Sequence, residues 1–496
     1  MSFCSRARLR SPERRAAALG ALLATALAVG VLGARPAPAV ASARVFYVSP
    51  AADSGGTGSV TRPWTFATAL AGAGGRLHPG DTVWLRGGTY RGEFRTNLDG
   101  TPNRWIVFRQ YPGERATIDG TLRTDGAYLA FWGFEIMQSA PTTYGLQANT
   151  DHGRFINLIV HDAGTQGVSF WTPAVDAELY GCIIYNNGTH ENLDHGVYVH
   201  NEEGTKLIAD NVFFNNLARG IQIYASPNNP AIRNIRVEGN VSFNNGTIST
   251  LVQARENLIF NAPVPTEGMV GIGNLLYFSG ADGVNLRLGK YAPQNNHDIT
   301  LRDNYAAGGK IGLEMVEPWQ RATVTGNIFI GSRDVVKVGG ASLAGQYQWT
   351  GNTWVRDADA RAWDYQGEAF SWDGWRRATG LGASDRVTAE PPQATKVFVR
   401  PNRYEPRRAT IVVYNWEWQP DVAVDVSEAL RPGDRYEVRN VQALFGPALA
   451  SGVYQGGPIR VHMSGVAPPV PLGRVTRTPP RTGPAFDVFL LTSPSR

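Results

Sequence analysis

The apolar residues of this chain come in short bursts that return at a nearly regular interval. A six-residue phrase, in which a small residue or Asn precedes a short apolar run, reads GFEIMQ from Gly133, NLIVHD from Asn157, CIIYNN from Cys182, NVFFNN from Asn211 and NVSFNN from Asn240. It continues as NLLYFS from Asn274, NYAAGG from Asn304 and NIFIGS from Asn327, with NTWVRD from Asn352 as a ninth candidate. Neighbouring copies start 23–34 residues apart. Between most of them lies a second phrase of period two: GLQAN (Gly145), GVSFW (Gly167), GVYVH (Gly196), GIQIY (Gly220), LVQAR (Leu251), GVNLR (Gly283), GLEMV (Gly312) and VVKVG (Val335). Bursts this short read as strands, and two or three of them per repeat cannot bury their apolar faces alone. Successive repeats must therefore stack, which predicts a solenoid of parallel strands over about residues 45–355. Asn157, Asn211, Asn240, Asn274, Asn304, Asn327 and Asn352 are expected at one turn of every layer, bonded to each other as a ladder. Phe213, Phe243 and Phe329 are expected in the core.

The opening of the chain carries a resemblance. Val45-Phe46-Tyr47-Val48-Ser49-Pro50, Thr68-Ala69-Leu70, Pro79-Gly80-Asp81-Thr82-Val83 and Leu85-Arg86-Gly87-Gly88-Thr89-Tyr90 resemble the N-terminal cap of the right-handed parallel β-helix, or pectate-lyase-like, superfamily. The resemblance implies an all-β fold. It leaves the activity open, because that superfamily includes lyases, hydrolases, epimerases and proteins of no known chemistry. After the repeats the composition changes. Residues 358–395, with Trp363, Trp372, Trp375 and Arg376-Arg377, read as a short amphipathic helix and linker closing the open end of the solenoid. From 396 to 496 the runs KVFVR, TIVVYNW, VAVDV, RYEVRNV, IRVHM and FDVFLL, separated by Pro/Gly turns, predict a C-terminal antiparallel β-sandwich. Within it Trp416 and Trp418 would share one face of a strand, there to pack on the solenoid rather than to stack on sugars.

Charge and cysteine place the protein. The chain has 47 Lys+Arg and 42 Asp+Glu, but residues 1–43 hold six of the bases and one of the acids, so the remainder holds 41 of each. The basic excess therefore offers no surface for nucleic acid; it belongs to an arginine-rich start followed by the apolar run 16–32 and small-x-small cleavage sites at 39–43. That order reads as a secretory signal, with an uncleaved membrane anchor as the alternative, so residues 1–43 are expected to be removed and the mature chain, 44–357 of it solenoid with cap, to be extracellular, free of the membrane and monomeric. Cys4 leaves with the signal, and Cys182 is left as a lone thiol in an apolar run.

Strand alternation sorts the second phrase into inward and outward residues. If all copies stack in one register, one column reads Gln147, Ser169, Tyr198, Gln222, Gln253, Asn285, Glu314, Lys337, and a second reads Asn149, Trp171, His200, Tyr224, Arg255, Arg287. With layers about 4.8 Å apart, the strip from Ser169 to Lys337 would run about 29 Å, a length suited to an extended sugar chain. Eliminative cleavage of a uronic-acid polymer needs a cation for the carboxylate, a base for the adjacent proton and an acid for the leaving oxygen. Arg255 and Arg287 are the candidate neutralisers, His200, Tyr224 and Tyr198 the candidate base and acid, and Trp171, Gln222, Gln253, Asn285, Glu314, Lys290, Asp194 and His195 the candidate binding groups. Hydrolysis would need two carboxyl groups, and among Asp194, Glu202, Glu203, Glu256, Glu314 and Glu317 only Glu314 lies clearly on the strip. Asp194-His195-Gly196 resembles the Gly-His-Gly element of polygalacturonase-like hydrolases, but their paired aspartates and Arg-Ile-Lys element are absent, so those roles are not carried over. Asp194 either orients an imidazole or holds a cation, or else makes an Asx-turn. The other histidines make no zinc spacing, and no motif demands a cofactor; Ca²⁺ is the one ion left open. The leading expectation is a polysaccharide lyase. The alternatives are a glycoside hydrolase or epimerase on the same scaffold, and a non-catalytic carbohydrate-binding or cell-surface protein.

Overall fold

The computed structural model describes residues 43–496 apart from 252–254, 290–291, 341–342, 344, 464 and 494–496. The expected signal segment thus lies outside the described residues, save Ala43. One coil shows the plan of the rest. Glu178–Tyr180, Ile183–Tyr185 and Val197–Val199 pair in parallel with Lys206–Ala209, Val212–Phe214 and Ile221–Ile223 of the next coil. Repeated along the chain, this pairing builds three sheets, the first of them twelve strands long. In the first coils the second and third sheets are not yet separate: Gly88–Thr96 and Ala116–Thr124 each run through both, bending at Gly92 and Gly120. A Cβ on Gly120, at φ 151°, would lie 1.9 Å from the Gly92 carbonyl oxygen, so only glycine permits that corner.

Later coils turn the same corner with asparagine. Asn186, Asn215 and Asn244, the first members of the Asn-Asn pairs, sit at φ 53°, 50° and 52°, a left-handed conformation that asparagine tolerates better than other side-chain-bearing residues. The second members form a buried ladder: Asn187 Nδ2 donates to Asn216 Oδ1 (3.0 Å), Asn216 to Asn245 (2.9 Å), Asn245 to Asn257 (3.1 Å) and Asn257 to Asn285 (3.0 Å). The ladder expected from the first phrase stands at the turn between the first and second sheets. It links Asn211, Asn240, Asn274, Asn304, Asn327 and Asn352 at 2.8–3.1 Å and ends on Asp385. Asn157 is not part of it. Ile159 pairs with Ile183, so Leu158 stands where Cys182 and Asn211 stand, and Asn157 occupies a left-handed turn position one residue earlier. There it donates to Glu405 Oε2 (3.0 Å) and accepts from Asn402 Nδ2 (2.7 Å).

Inside the coils side chains of equivalent positions pile up, as in the parallel stack of Phe108, Phe131 and Phe155 with centroids 5.4 and 5.7 Å apart. Phe213 and Phe329 join this interior. Phe243 points the other way. It belongs to a row on the outer face of the second sheet, His161, Tyr185, Phe214 and Phe243, stacked at 4.7–5.1 Å. An aromatic outer face must be covered, and the C-terminal domain covers it. Lys396–Pro401, Ala409–Tyr414, Phe486–Thr492, Arg435–Asn440 and Ala450–Val453 form an antiparallel sheet. Alternation gives this sheet two apolar faces. Val412, Tyr414, Phe486, Val488 and Leu490 pack on the aromatic row, while Ile411, Val413, Phe489 and Leu491 pack on the antiparallel pair Asp421–Val424 and Ile459–His462 as a small sandwich. Trp416 and Trp418 lie in a turn after the strand, not within it: Trp416 Nε1 donates to Tyr305 Oη (3.0 Å), whereas Trp418 is exposed. At the far end of the solenoid the helix Trp372–Thr379 places Trp372 on Trp363 and Trp375 on Trp349 and closes the core.

One polar cluster is built into the docked seam. His161 Nδ1 meets Asp162 Oδ2 at 2.7 Å and its Nε2 meets Glu135 Oε1 at 2.8 Å. Asp162 in turn accepts from the Leu472 amide (2.7 Å) and lies 3.8 Å from Arg474, so the C-terminal segment is tied to the same histidine. Burial alone would push the imidazole down, but the bonds to Asp162 and Glu135 outweigh it and its pKa is raised. Burial alone would raise Glu135, but His161, Arg115 and Thr117 overcome that and bring it down to about 2.

Two predictions follow from this architecture. Asn240→Ala strips a buried rung and leaves neighbouring amides unsatisfied, and should cost on the order of 2–4 kcal/mol in urea unfolding; an unchanged midpoint would show that the ladder does not hold the coils. For the seam, the raised His161 contributes stability that is full below about pH 6.5 and fades as pH rises through the folded value, while the depressed Glu135 contributes above about pH 4.5 and fades toward 2. Thermal unfolding from pH 6 to 9 should therefore lose stability more steeply in the native chain than in His161→Gln, and equal slopes would refute the assignment.

Candidate functional site

The outer face of the third sheet carries a polar strip whose register is set by the strand pairing. Gln147, Ser169, Tyr198 and Gln222 stand in one column, as alternation predicts. The next two places differ from the expectation. Gln222 pairs with Ile259, and Ile259 with Arg287, before Glu314 and Lys337 follow in order. The expected Gln253 lies outside the described residues, as does Lys290. Asn285 does not face outward: it is fully buried as the end of the second asparagine ladder, its Nδ2 donating to Gly308 O (2.8 Å). The error has a local cause. The strand of that coil is Glu256–Phe260, not the LVQAR run before it, and Asn257 takes the ladder position where the two preceding coils have Gly196 and Gly220. The sequence Asn257-Leu258-Ile259-Phe260 therefore looked like the first phrase while serving as the second.

This shift brings together groups that the two-column reading kept apart. Arg287 moves into the first column, beside Glu314, and forms ion pairs with both Glu314 and Glu256. Arg219 Nε lies 3.0 Å from Glu256 Oε2, and Lys337 Nζ lies 3.9 Å from Glu314 Oε1. The result is a row of alternating charge across successive coils: Arg219, Glu256, Arg287, Glu314, Lys337. The two carboxylates are buried, at 3% and 9% exposure, and Arg287 is the more accessible partner at 23%. The opposed effects of burial, which lowers, and of Glu256 and Glu314, which raise, leave the Arg287 pKa above its usual value. Arg219 and Glu256 were not placed on the strip by sequence: Arg219 precedes the strand Ile221–Ile223 by two residues, and Glu256 opens a strand that the LVQAR reading set elsewhere. Arg255 also precedes its strand. It is buried, pairs with Asp282 Oδ2 (2.9 Å), and its Nε and Nη2 have no hydrogen-bond partner among the described residues.

The aromatic end of the strip holds the remaining candidates. Trp171, Tyr198 and Tyr224 are half-buried, with Tyr198 4.9 Å from Trp171 and 5.9 Å from Tyr224 between ring centroids. The imidazole of His200 does not reach the surface as expected: it is 7% exposed, 3.3 Å from Glu202, and burial holds its pKa below the usual value. His195 is deeper still, kept neutral by burial, its Nδ1 accepting from the Arg219 amide (3.4 Å) beneath the ring of Tyr198. Asp194 neither orients that imidazole nor faces a cation. Its Oδ2 accepts from the amides of Thr189 (2.9 Å) and His190 (2.7 Å), so it closes the turn. Lys206, which the sequence reading passed over, is fully buried and donates to the carbonyls of Trp171 (2.6 Å) and His200 (2.7 Å). Burial pushes its pKa well down, and the bonds pin the two turns that carry Trp171 and His200.

Calcium calls for clustered hard oxygen ligands. Glu256, Glu314 and Asp282 are each engaged by a guanidinium or ammonium, and among the described residues no group of three or more His, Cys, Asp or Glu is arranged to hold a metal ion. The donor set of the strip does not fit a calcium ion.

Residues 46–257 match the family model described as the Pel9A-like, right-handed β-helix region. The match spans less than half of the chain and marks residues 46–257 as similar to that β-helix region, in keeping with the parallel solenoid described above. Among solved structures the chain is similar to pectate lyase Pel9A, with 15% identity, 60% of this chain and 78% of that one covered, and a TM-score of 0.49. It is similar to a rhamnogalacturonan lyase at 15% identity, covering 68% and 99%, TM-score 0.49. The complex of XylC with xylose is similar at 9% identity, covering 90% and 100%, TM-score 0.46. None of the curated proteins matches the chain in sequence.

The charge row generates a prediction. Arg287→Met leaves two buried carboxylates without their shared partner and should destabilise the protein by about 3–5 kcal/mol, more than the triple change that also converts Glu256 and Glu314 to Gln. Urea unfolding of the two variants reads the difference; equal losses would mean that the row is not coupled.

Proposed function

We propose that the protein is a polysaccharide lyase that cleaves a uronic-acid-containing polymer by β-elimination on the outer face of the third sheet. The observation that carries this reading is the order of groups along one strip: two half-exposed tyrosines with a tryptophan beside them, then exposed guanidinium edge at Arg287. Elimination needs a proton acceptor, a proton donor and a cation for the substrate carboxylate, and the strip offers all three. Tyr198 and Tyr224 are the proton-transfer pair. Arg287, the partly exposed cation of the charge row, faces the carboxylate. His195, His200 and Lys206 position the tyrosines and Trp171 from below. The family model's namesake, Pel9A, is a pectate lyase, which supports the same substrate class.

A glycosidase arrangement is less well served. Glu256 and Glu314 are tied to one guanidinium instead of facing each other across a gap for a sugar ring and water. Secretion through the N-terminal segment belongs to the same proposal, since a polymer substrate is met outside the cell.

Incubation with a panel of acidic and neutral polysaccharides should give rising absorbance in the unsaturated-uronide band with an acidic polymer. Tyr198→Phe and Tyr224→Phe should each lower kcat by about 10²–10⁴ with little change in KM. Reducing ends without that band would replace elimination by hydrolysis, and retention without turnover would leave a binding protein. Full activity in both variants would remove the tyrosines from the mechanism.

A further inference from the structure

A groove of about 490 Å³ opens on a different face, where the outer surface of the second sheet near its N-terminal end meets the C-terminal domain. Its volume is that of a small-molecule site. The solenoid supplies the floor and the C-terminal domain supplies Phe445, a ring left 43% exposed. The Arg115 guanidinium stacks on one face of that ring, 3.4 Å from its centroid, and holds the remaining ring surface in place. Met137 adds an apolar patch, and Thr89 a hydroxyl.

The charges of the groove are sorted by depth. Arg91 and Arg115 are 74% and 54% exposed, while the acids that pair with them, Asp119 and Glu135, are 11% and 2% exposed. Those acids are also occupied. Glu135 accepts from Arg115, His161 and Thr117, and Asp119 accepts from the amide and hydroxyl of Ser139 at 2.9 Å each. An incoming ligand meets guanidinium groups in front and carboxylates already bonded behind. Two arginines with spare donors suit a carboxylate, and a flat aromatic wall beside hydroxyls suits the face of a sugar ring.

We propose that this groove is a second binding site, separate from the strip, for a carboxylate-bearing sugar. The carboxylate lies on Arg91 and Arg115 and the ring lies against Phe445. The ligand is either a free sugar acid or the end of a polymer chain, which share this chemistry. Occupancy depends on both domains, because the floor and the aromatic wall come from opposite sides of the seam.

Isothermal titration of the intact protein with D-galacturonate, D-galactose and acetate tests the proposal. Galacturonate should bind at least about tenfold more tightly than either control, since each control lacks the ring or the charge. Phe445→Ala and Arg91→Gln, at exposed positions where folding is not at risk, should each weaken binding several-fold, while Tyr198→Phe should leave it unchanged. A galacturonate trimer that binds more tightly than the monomer identifies a chain end; equal affinity identifies the free sugar acid. No binding, equal binding of acetate or galactose, or binding lost in Tyr198→Phe but kept in Phe445→Ala would overturn the site. Because the readout is binding, a lack of turnover on every polymer leaves a positive result standing, and turnover on the strip does not rescue a negative one.

Discussion

Two rows of buried asparagine amides hold every other feature in place. A parallel strand three residues long makes few hydrogen bonds to its neighbour, too few to choose one register over the next. The amide at each corner removes that freedom, because its carbonyl accepts from the layer before and its NH₂ donates to the layer after, and a one-residue slip would leave both buried and unmet. With the register locked, any position in one coil lies over the same position in the next at about 4.8 Å. Columns of like residues then become inevitable: a phenylalanine stack inside, an aromatic row on the second sheet, and a polar and charged row on the third.

What each column does depends on what covers it. The aromatic row of the second sheet is buried by the C-terminal domain, whose central sheet uses one face for this contact and the other for its own core. Among the described residues the C-terminal domain does not cover the strip from Tyr198 to Lys337, along which Tyr198, Arg287 and Lys337 stay partly exposed. The C-terminal segment instead holds the turns beside the strip, through Leu472 to Asp162, Arg474 to Asn186 and Arg477 to Ile248 and Thr250. Where the domain's edge does meet exposed solenoid, at Phe445, it creates a groove that neither part has alone.

Much of this was readable in the residues. The repeat interval, the alternation of GVYVH and GIQIY, and the asparagines from Asn211 to Asn352 sufficed for the fold and for the neighbours Ser169, Tyr198 and Gln222. The reading failed where a coil changes the phrase itself. At Glu256–Phe260 an asparagine replaces the usual glycine, so the strand imitates its counterpart on the second sheet, and the assignment of Gln253, Asn285 and Arg287 slipped with it. It failed again for His200, where alternation predicts direction but not depth: the side chain is buried, 3.3 Å from Glu202.

The sequence by itself determined the period, and with it a stacked parallel solenoid, because short apolar bursts have no other way to bury their faces. It also determined which residue types line the outer surfaces, since alternation is a local property of the strand. Only the tertiary structure decided which of those residues meet. The charge row from Arg219 to Lys337 joins side chains 23 to 37 residues apart in neighbouring coils, and the seam at Phe445 joins residues more than 300 apart. Such contacts depend on the exact length of each intervening turn, which the ladders tolerate in any size and the local pattern does not record.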